Sequence, residues 1–482
     1  MLDLRPVFFI CGILIAALGG IMIIPAIVDA ASGEPEWKAF ALSALLTVFV
    51  GGAFMLTSRI DSMSLNLRQA FLFTGLAWFS IAAFGSLPFA LSDLGLSPVD
   101  AFFESMSGIT TTGSTVISGL DKAPPGILLW RSIMQWLGGI GVIVFALAFL
   151  PILKVGGMQL FKTEAFDTPE KVLPGAAQIA LSIGGAYVLL TSIVMFALTL
   201  AGMPAFDALN HAMTSIATGG YSTKDASIGY FDSMGIDWIL TAAMIIGSLP
   251  FILLVGILSG RLRPLFRDSQ VRWFLSIVVL AVASVAVWLV LVGKMSYAEA
   301  ATKASFNVIS MMTGTGYTTA NFNEWGGMPL VVILTLMFVG GCAGSTTCGI
   351  KVFRFQVAYA IARIQISRLL QPHGVFIATY NRRPITDEVA GSVMGFFFLF
   401  VASFAVLAAI LGLTGLDFIT AISGAATAIA NVGPGLGQVI GPEGNFSSLP
   451  DAAKLALSGG MLLGRLELYT ILILFAPGFW RG

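Results

Sequence analysis

Thr313-Gly314-Thr315-Gly316-Tyr317-Thr318 is a strip of small and hydroxylated residues between two long apolar segments. Three looser versions occur elsewhere: Thr111-Thr112-Gly113-Ser114, Thr218-Gly219-Gly220-Tyr221 and Asn431-Val432-Gly433-Pro434. Each follows a short, moderately apolar, helix-capable run, and each precedes a polar loop. Glycine lets the chain visit positive φ and leaves no Cβ in front of the backbone carbonyls. At membrane depth such irregular backbone is tolerated only inside protein or beside water, where its carbonyls can replace the water shell of a cation. Four such strips around one axis would make a selectivity filter.

The surroundings of the strips agree with a membrane setting. Of 482 residues, 57% are hydrophobic and only 10% charged, against about 25% charged in soluble proteins. The solvent is therefore lipid. Net charge is zero, so no bulk basic character points to nucleic acid. Roughly twenty apolar residues cross a bilayer. On that rule the spans are 7–28, 39–57, 70–91, 127–150, 176–201, 237–258, 273–292, 328–350, 389–412 and 452–478. The first is too long for the apolar region of a signal peptide, about 7–15 residues, and reads as a retained transmembrane helix. Shorter runs near 100–112, 207–219, 297–314 and 417–431 read as re-entrant half-helices.

The expected fold is an all-α polytopic membrane protein. Four pseudo-repeats of helix, re-entrant pore helix, filter strip and helix, in 70–175, 176–272, 273–388 and 389–482, surround one central pore. Residues 1–69 add an N-terminal helix pair. The aligned glycines are Gly113, Gly220, Gly316 and Gly433, at intervals of 107, 96 and 117 residues, so the repeat is loose in length. Asp100, Asp207 and Asp417 stand where N-caps belong, and Ser296 to Glu299 has capping-box spacing.

Lys and Arg set the orientation. Seventeen fall on the side that holds both termini, six on the other, and Arg131 and Arg465 lie within spans. Both termini are therefore expected in the cytoplasm, with the half-helices entering from outside. Sixteen acids are external or on half-helices, so the outer mouth should concentrate cations.

Half-helices entering from outside aim their C-termini, each about −0.5 of a charge, at the bilayer centre. No acidic residue stands at or beside an aligned glycine. Divalent-cation filters use carboxylate rings, whereas carbonyl rings suit dehydrated potassium. The expected ligand is thus the potassium ion, held by Thr111, Thr112, Gly113, Thr218, Gly219, Gly220, Gly314, Thr315, Gly316, Asn431, Val432 and Gly433. Three cysteines and two histidines suggest neither a disulfide framework nor a metal site, and no organic cofactor is expected. Gly344 and Gly349 have phosphate-loop spacing, but Ile350 intervenes before Lys351.

The run Gly340-Gly-Cys-Ala-Gly-Ser-Thr-Thr-Cys-Gly349 breaks the eighth span on the cytoplasmic side of the filter. It reads as an intramembrane gating loop, with Gly340, Gly341, Gly344, Ser345, Thr346, Thr347 and Gly349 as its gate residues. Arg465, mid-span, costs at least about 2.5–3.5 kcal/mol in lipid and should face protein or water. Glu467 is its candidate partner, although i and i+2 point to different helix faces. Arg131, near the outer end of its span, reads as a snorkelling side chain. His211 reads as packed into the second half-helix.

The four strips and the ten-span layout resemble the Trk/Ktr/HKT superfamily of potassium transport proteins. The extra N-terminal pair is closest to its bacterial TrkH branch, and the resemblance covers essentially the whole chain. It implies potassium uptake, with Gly113 standing where members that favour sodium carry serine. It implies an arginine at Arg465 facing the pore opposite the gating loop. It also implies a homodimer in the bacterial inner membrane and a separate cytosolic, nucleotide-binding regulatory ring subunit of the TrkA type. The cytoplasmic stretch from Lys351 to Glu388 reads either as a docking surface or as an interfacial helix. Sodium- or proton-coupled symport remains open, as does a polytopic membrane enzyme, which would need clustered His, Asp or Glu where the spans offer only Glu467.

Overall fold

Helix forms where the long apolar runs lie. The structure, a computed structural model, describes residues 3–60, 65–148, 176–381 and 383–481. Lys154, Lys162, Lys171 and Arg382, four of the bases counted as cytoplasmic, lie outside the described residues, as do 149–150 of the fourth expected span. Seven continuous helices are long and apolar enough to cross a membrane among the described residues. They are Arg5–Ser32, Trp37–Thr57, Leu67–Leu91, Pro125–Ala148, Ala176–Leu200, Ser269–Leu291 and Asp387–Leu413. Large side chains on their outer faces, such as Phe49, Leu280 and Phe398, are exposed for lipid contact.

Three expected spans are not continuous. The run at 237–258 breaks into Met234–Gly247 and Phe251–Leu258, bent by 108°. Pro250 has no N–H to continue the ladder, and the glycine-rich loop at 340–349 takes over the freed groups. Cys342 N–H donates to the Ser248 carbonyl at 3.0 Å, and Phe251 N–H to the Gly344 carbonyl at 2.9 Å. The run at 452–478 breaks between Asp451–Arg465 and Leu468–Phe475, bent by 115°, with Glu467 at φ 58°. The eighth span stops after the 11 residues of Gly327–Met337, where the glycine-rich loop begins.

The pore helices are Pro98–Ile109, Ala205–Ile216, Tyr297–Thr313 and Phe418–Ala430. Their caps differ from the expected ones in two cases. Ser97, not Asp100, caps the first, and its hydroxyl accepts from Asp100 N–H. Pro204 precedes the second, leaving Asp207 inside the first turn. Ser296 and Asp417 do cap the third and fourth. Acids in the first turn still favour the positive helix end.

Packing closes the repeats into a circle. The second pore helix packs on Pro125–Ala148, the third on Met234–Gly247, the fourth on Gly327–Met337, and the first on Asp451–Arg465. Each pore helix thus leans on the inner helix of the repeat before it. Ion pairs join two of these contacts, Lys303 to Asp237 at 3.7 Å and Lys454 to Asp100 at 2.5 Å, and a third, Arg131 to Glu104 at 2.8 Å, lies within the first repeat. The N-terminal pair is fastened to this circle by Asp29, whose carboxylate accepts from Gly126 N–H at 2.5 Å. That contact caps the start of Pro125–Ala148 from another helix.

Candidate functional site: four strips and the loop beneath them

All four pore helices end alike. A left-handed residue stands one or two positions after the helix in each case: Thr111 at φ 53°, Thr218 at 50°, Gly314 at 71° and Asn431 at 52°. The next N–H reaches back five residues, from Thr112 to Ser107, Gly219 to Thr214, Thr315 to Ser310 and Val432 to Thr427, at 2.9–3.0 Å. This is the helix-ending bond of a Schellman motif. The aligned glycines follow, also at positive φ: Gly113 87°, Gly220 74°, Gly316 81° and Gly433 110°. Leaving the helix through two left-handed residues turns the chain sharply back, and the second of them carries no Cβ.

The strips meet. A Cβ on Gly113 would collide with the Gly219 carbonyl oxygen, one on Gly220 with that of Thr315, and one on Gly316 with that of Val432. One on Gly433 would stand 3.0 Å from the Thr112 carbonyl oxygen. Strip one touches two, two touches three, three touches four, and four touches one. The ring is closed, and all four glycines line one cavity.

Side chains behind the ring hold it. Tyr221 donates to the Glu104 carbonyl at 2.8 Å, and the Tyr317 hydroxyl contacts Thr214 and the His211 carbonyl, so each tyrosine stands on the preceding pore helix. Ser114 donates to the Gly433 carbonyl at 2.8 Å. Asn431 donates to the Thr112 hydroxyl and the Met461 carbonyl, both at 2.9 Å. His211 is buried and bonded to the Asp207 carbonyl and the Ser222 hydroxyl, as the packed reading expected.

Several members of this shell were not anticipated. Gln135 donates to the Gly219 carbonyl at 2.6 Å and accepts from Tyr221 N–H at 2.9 Å, so that carbonyl already has a protein partner. Thr427 bonds both the N–H and the carbonyl of Gly433, and Ser310 donates to the Tyr317 carbonyl at 2.7 Å. A sequence signal existed for these two, because Ser107, Thr214, Ser310 and Thr427 each lie six residues before an aligned glycine. Arg131 does not snorkel. It is 1% exposed and pairs with the fully buried Glu104.

The glycine-rich loop lies against the helix ends that carry the strips. The Thr346 hydroxyl donates to the Ile216 and Gly247 carbonyls at 3.0 and 2.9 Å and accepts from Thr218 at 3.2 Å. Cys348 Sγ is 3.9 Å from the Thr111 hydroxyl. Gly340 and Gly341 close the base of the loop, to the Ile350 carbonyl and the Thr347 hydroxyl. Ser345 joins the Cys342 carbonyl to Thr347, and Gly344 and Gly349 take positive φ at its turns. Lys351, expected at the cytoplasmic surface, reaches back to Thr347.

Arg465 faces this loop. It donates to the Thr346 carbonyl at 2.9 Å, to Cys348 Sγ at 2.5 Å and to the Gly138 carbonyl at 2.9 Å. Its expected partner Glu467 is turned away by the helix break and pairs with Arg354 at 2.6 Å. Buried carbonyls of two other repeats solvate the guanidinium in place of a carboxylate, leaving its positive charge uncancelled below the ring.

Residues 37–481 match the family model described as TrkH, a cation transport protein. The chain belongs to the TrkH family. It is 45% identical to the Trk system potassium uptake protein TrkI of Halomonas elongata, over 99% of this chain and 97% of the relative. It is 38% identical to the Trk system potassium uptake protein TrkH of Escherichia coli, over 99% of both. Its fold matches the crystal structure of the potassium transporter TrkH from Vibrio parahaemolyticus with a TM-score of 0.92, 34% identity and full coverage of both chains. The all-α polytopic fold expected from the sequence is that of this family.

Proposed function

We propose that this chain takes up potassium through a pore whose filter is the ring of four strips and whose gate is the loop at 340–349. The closed succession of Gly113, Gly220, Gly316 and Gly433 at the ends of four converging pore helices carries the reading. Negative helix termini favour a cation midway across the membrane, and uncharged carbonyls suit a weakly hydrated monovalent one. The names of the relatives agree, since those proteins are called potassium uptake proteins of a Trk system. Arg465, bonded to the loop beneath the ring, would place positive charge in the way of a cation leaving toward the cytoplasm.

The protein sits in the bacterial inner membrane as a homodimer with both termini cytoplasmic. A cytosolic, nucleotide-binding regulatory ring controls it. The groove between helix Val352–Leu370 and residues 376–381 suits such a partner, because that helix continues directly from the gating loop. Purified protein in lipid vesicles should take up rubidium, a potassium substitute, well ahead of sodium. Equal uptake of the two would contradict a potassium filter. A reversal potential that follows the potassium gradient alone fits a channel, and one that moves with a proton or sodium gradient would replace it by symport.

A further inference from the structure

Arg131 occupies a position that the ring does not by itself require. Its Nε donates to Glu104 at 2.8 Å, one terminal nitrogen to the Ser222 carbonyl at 2.7 Å, and the other to the Thr115 hydroxyl at 3.2 Å. The guanidinium lies over the Tyr221 ring, 4.0 Å from its centre. Glu104 in turn accepts from the Thr115 hydroxyl and from Val116 N–H at 3.0 and 2.9 Å. Thr115 and Val116 follow Gly113 on strip one, and Tyr221 and Ser222 follow Gly220 on strip two. One buried charge pair therefore grips the outward limbs of two adjacent strips.

The other seams are held differently among the described residues. Between strips two and three the links are the hydroxyls of Tyr317 and Thr214. Asn323 bonds Gly437 between three and four, and Ser114 bonds Gly433 between four and one. These links between strips are neutral, and the charged pairs at two of these seams, Lys303 with Asp237 and Lys454 with Asp100, join helices rather than strips. Burying Arg131 and Glu104 is costly, and an apolar pair of the same volume would often stabilise the fold as well or better. The arrangement makes sense as a spacer, since a planar fork with three directed bonds and a stacked face fixes distance and angle together.

We infer that Arg131, through Glu104 and Thr115, is a specificity-determining positioning residue that sets the separation of strips one and two and so the preference for potassium over sodium. This rests on the filter reading above. Carbonyl cradles that can shrink accept the smaller ion, and a fixed seam opposes the shrinkage. Neither Arg131 nor Glu104 contacts the ion. They act through the backbone of Thr115, Val116 and Ser222.

The test compares rubidium and sodium uptake into vesicles holding the unaltered protein, Arg131→Lys or Thr115→Val. Lysine keeps the charge beside Glu104 but cannot make three directed bonds and stack. Valine removes the hydroxyl that both partners share and leaves the ion pair intact, so it remains informative should the lysine variant fail to fold. The expected result is a fall of about tenfold in the rubidium-to-sodium ratio, the scale of one lost charge-assisted hydrogen bond, with rubidium uptake largely kept. An unchanged ratio in a folded variant overturns the inference, and so does a parallel fall of both ions. If the unaltered protein shows no preference for rubidium, the filter reading itself fails, which separates the two claims.

Discussion

The Glu467 carboxylate accepts a hydrogen bond from the Arg354 guanidinium at 2.6 Å, with Arg354 fully buried and stacked 3.7 Å from the centre of the Phe396 ring. Arg354 belongs to the helix that leaves the glycine-rich loop, and Glu467 sits at the break that follows Arg465. The pair therefore ties the cytoplasmic end of the loop to the helix that supplies the charge beneath the ring.

Glu467→Ala removes the carboxylate that lies 2.6 Å from the buried Arg354 guanidinium. Removing one partner of a buried pair costs about 3–5 kcal/mol. The thermal unfolding midpoint in detergent should drop clearly below that of the unaltered protein. An unshifted midpoint would show that the pair contributes nothing to holding the break.

Arg465→Ala should raise rubidium flux about tenfold or more in the absence of any regulatory partner. In the proposed gate its bonds to the Thr346 and Gly138 carbonyls would keep the loop in place, and hydrogen bonds to charged groups contribute about 1.5–3 kcal/mol each. Vesicle uptake assays read the change. Flux equal to that of the unaltered protein would remove Arg465 from the gate.

Gly220→Ala places a methyl group against the Thr315 carbonyl oxygen and adds a Cβ at φ 74°. Neither can be relieved without moving a strip. Rubidium uptake should fall below detection while the protein still reaches the membrane. Normal uptake would mean that the ring is not the ion path.

Thr427→Val removes the hydroxyl that bonds both the N–H and the carbonyl of Gly433. Leaving a buried polar group unsatisfied costs about 1–3 kcal/mol. The fourth strip should loosen, lowering the rubidium-to-sodium uptake ratio more than Ser458→Ala does. Ser458 donates within its own helix, to the Lys454 carbonyl. Equal ratios in the two variants would assign Thr427 no special part.

The half-helices and strips were legible because short apolar runs ending in Gly and Thr cannot cross a bilayer and have few other uses there. The break at the glycine-rich run 340–349 was legible for the same reason. The breaks at Ser248 and Glu467 were not, because each lies inside a run that is long and apolar enough as a whole to pass for one span. Pro250 was a local hint, but the bend is completed by hydrogen bonds from residues more than ninety positions away. Arg131 was misread because position along a span says nothing about which side of a helix faces protein. The exchange of Glu467 from Arg465 to Arg354 is equally nonlocal, being fixed by the positive φ at residue 467. The hydroxyls six residues before each glycine were visible but carried no meaning until the helix ends were seen to share one geometry.

Potassium itself should stabilise the fold. A ligand bound only by the folded ring adds about 2.7 kcal/mol at a hundred times its dissociation constant. Replacing potassium by N-methylglucamine at constant ionic strength should lower the unfolding midpoint, and Gly220→Ala should abolish the difference. A midpoint indifferent to potassium would argue against an ion held by folded protein.

Anomalous scattering from crystals soaked in rubidium tests the central claim most directly. The account predicts density on the common axis of the four strips, within reach of backbone carbonyls beside Gly113, Gly220, Gly316 and Gly433. Rubidium bound elsewhere, with none inside that ring, would contradict it.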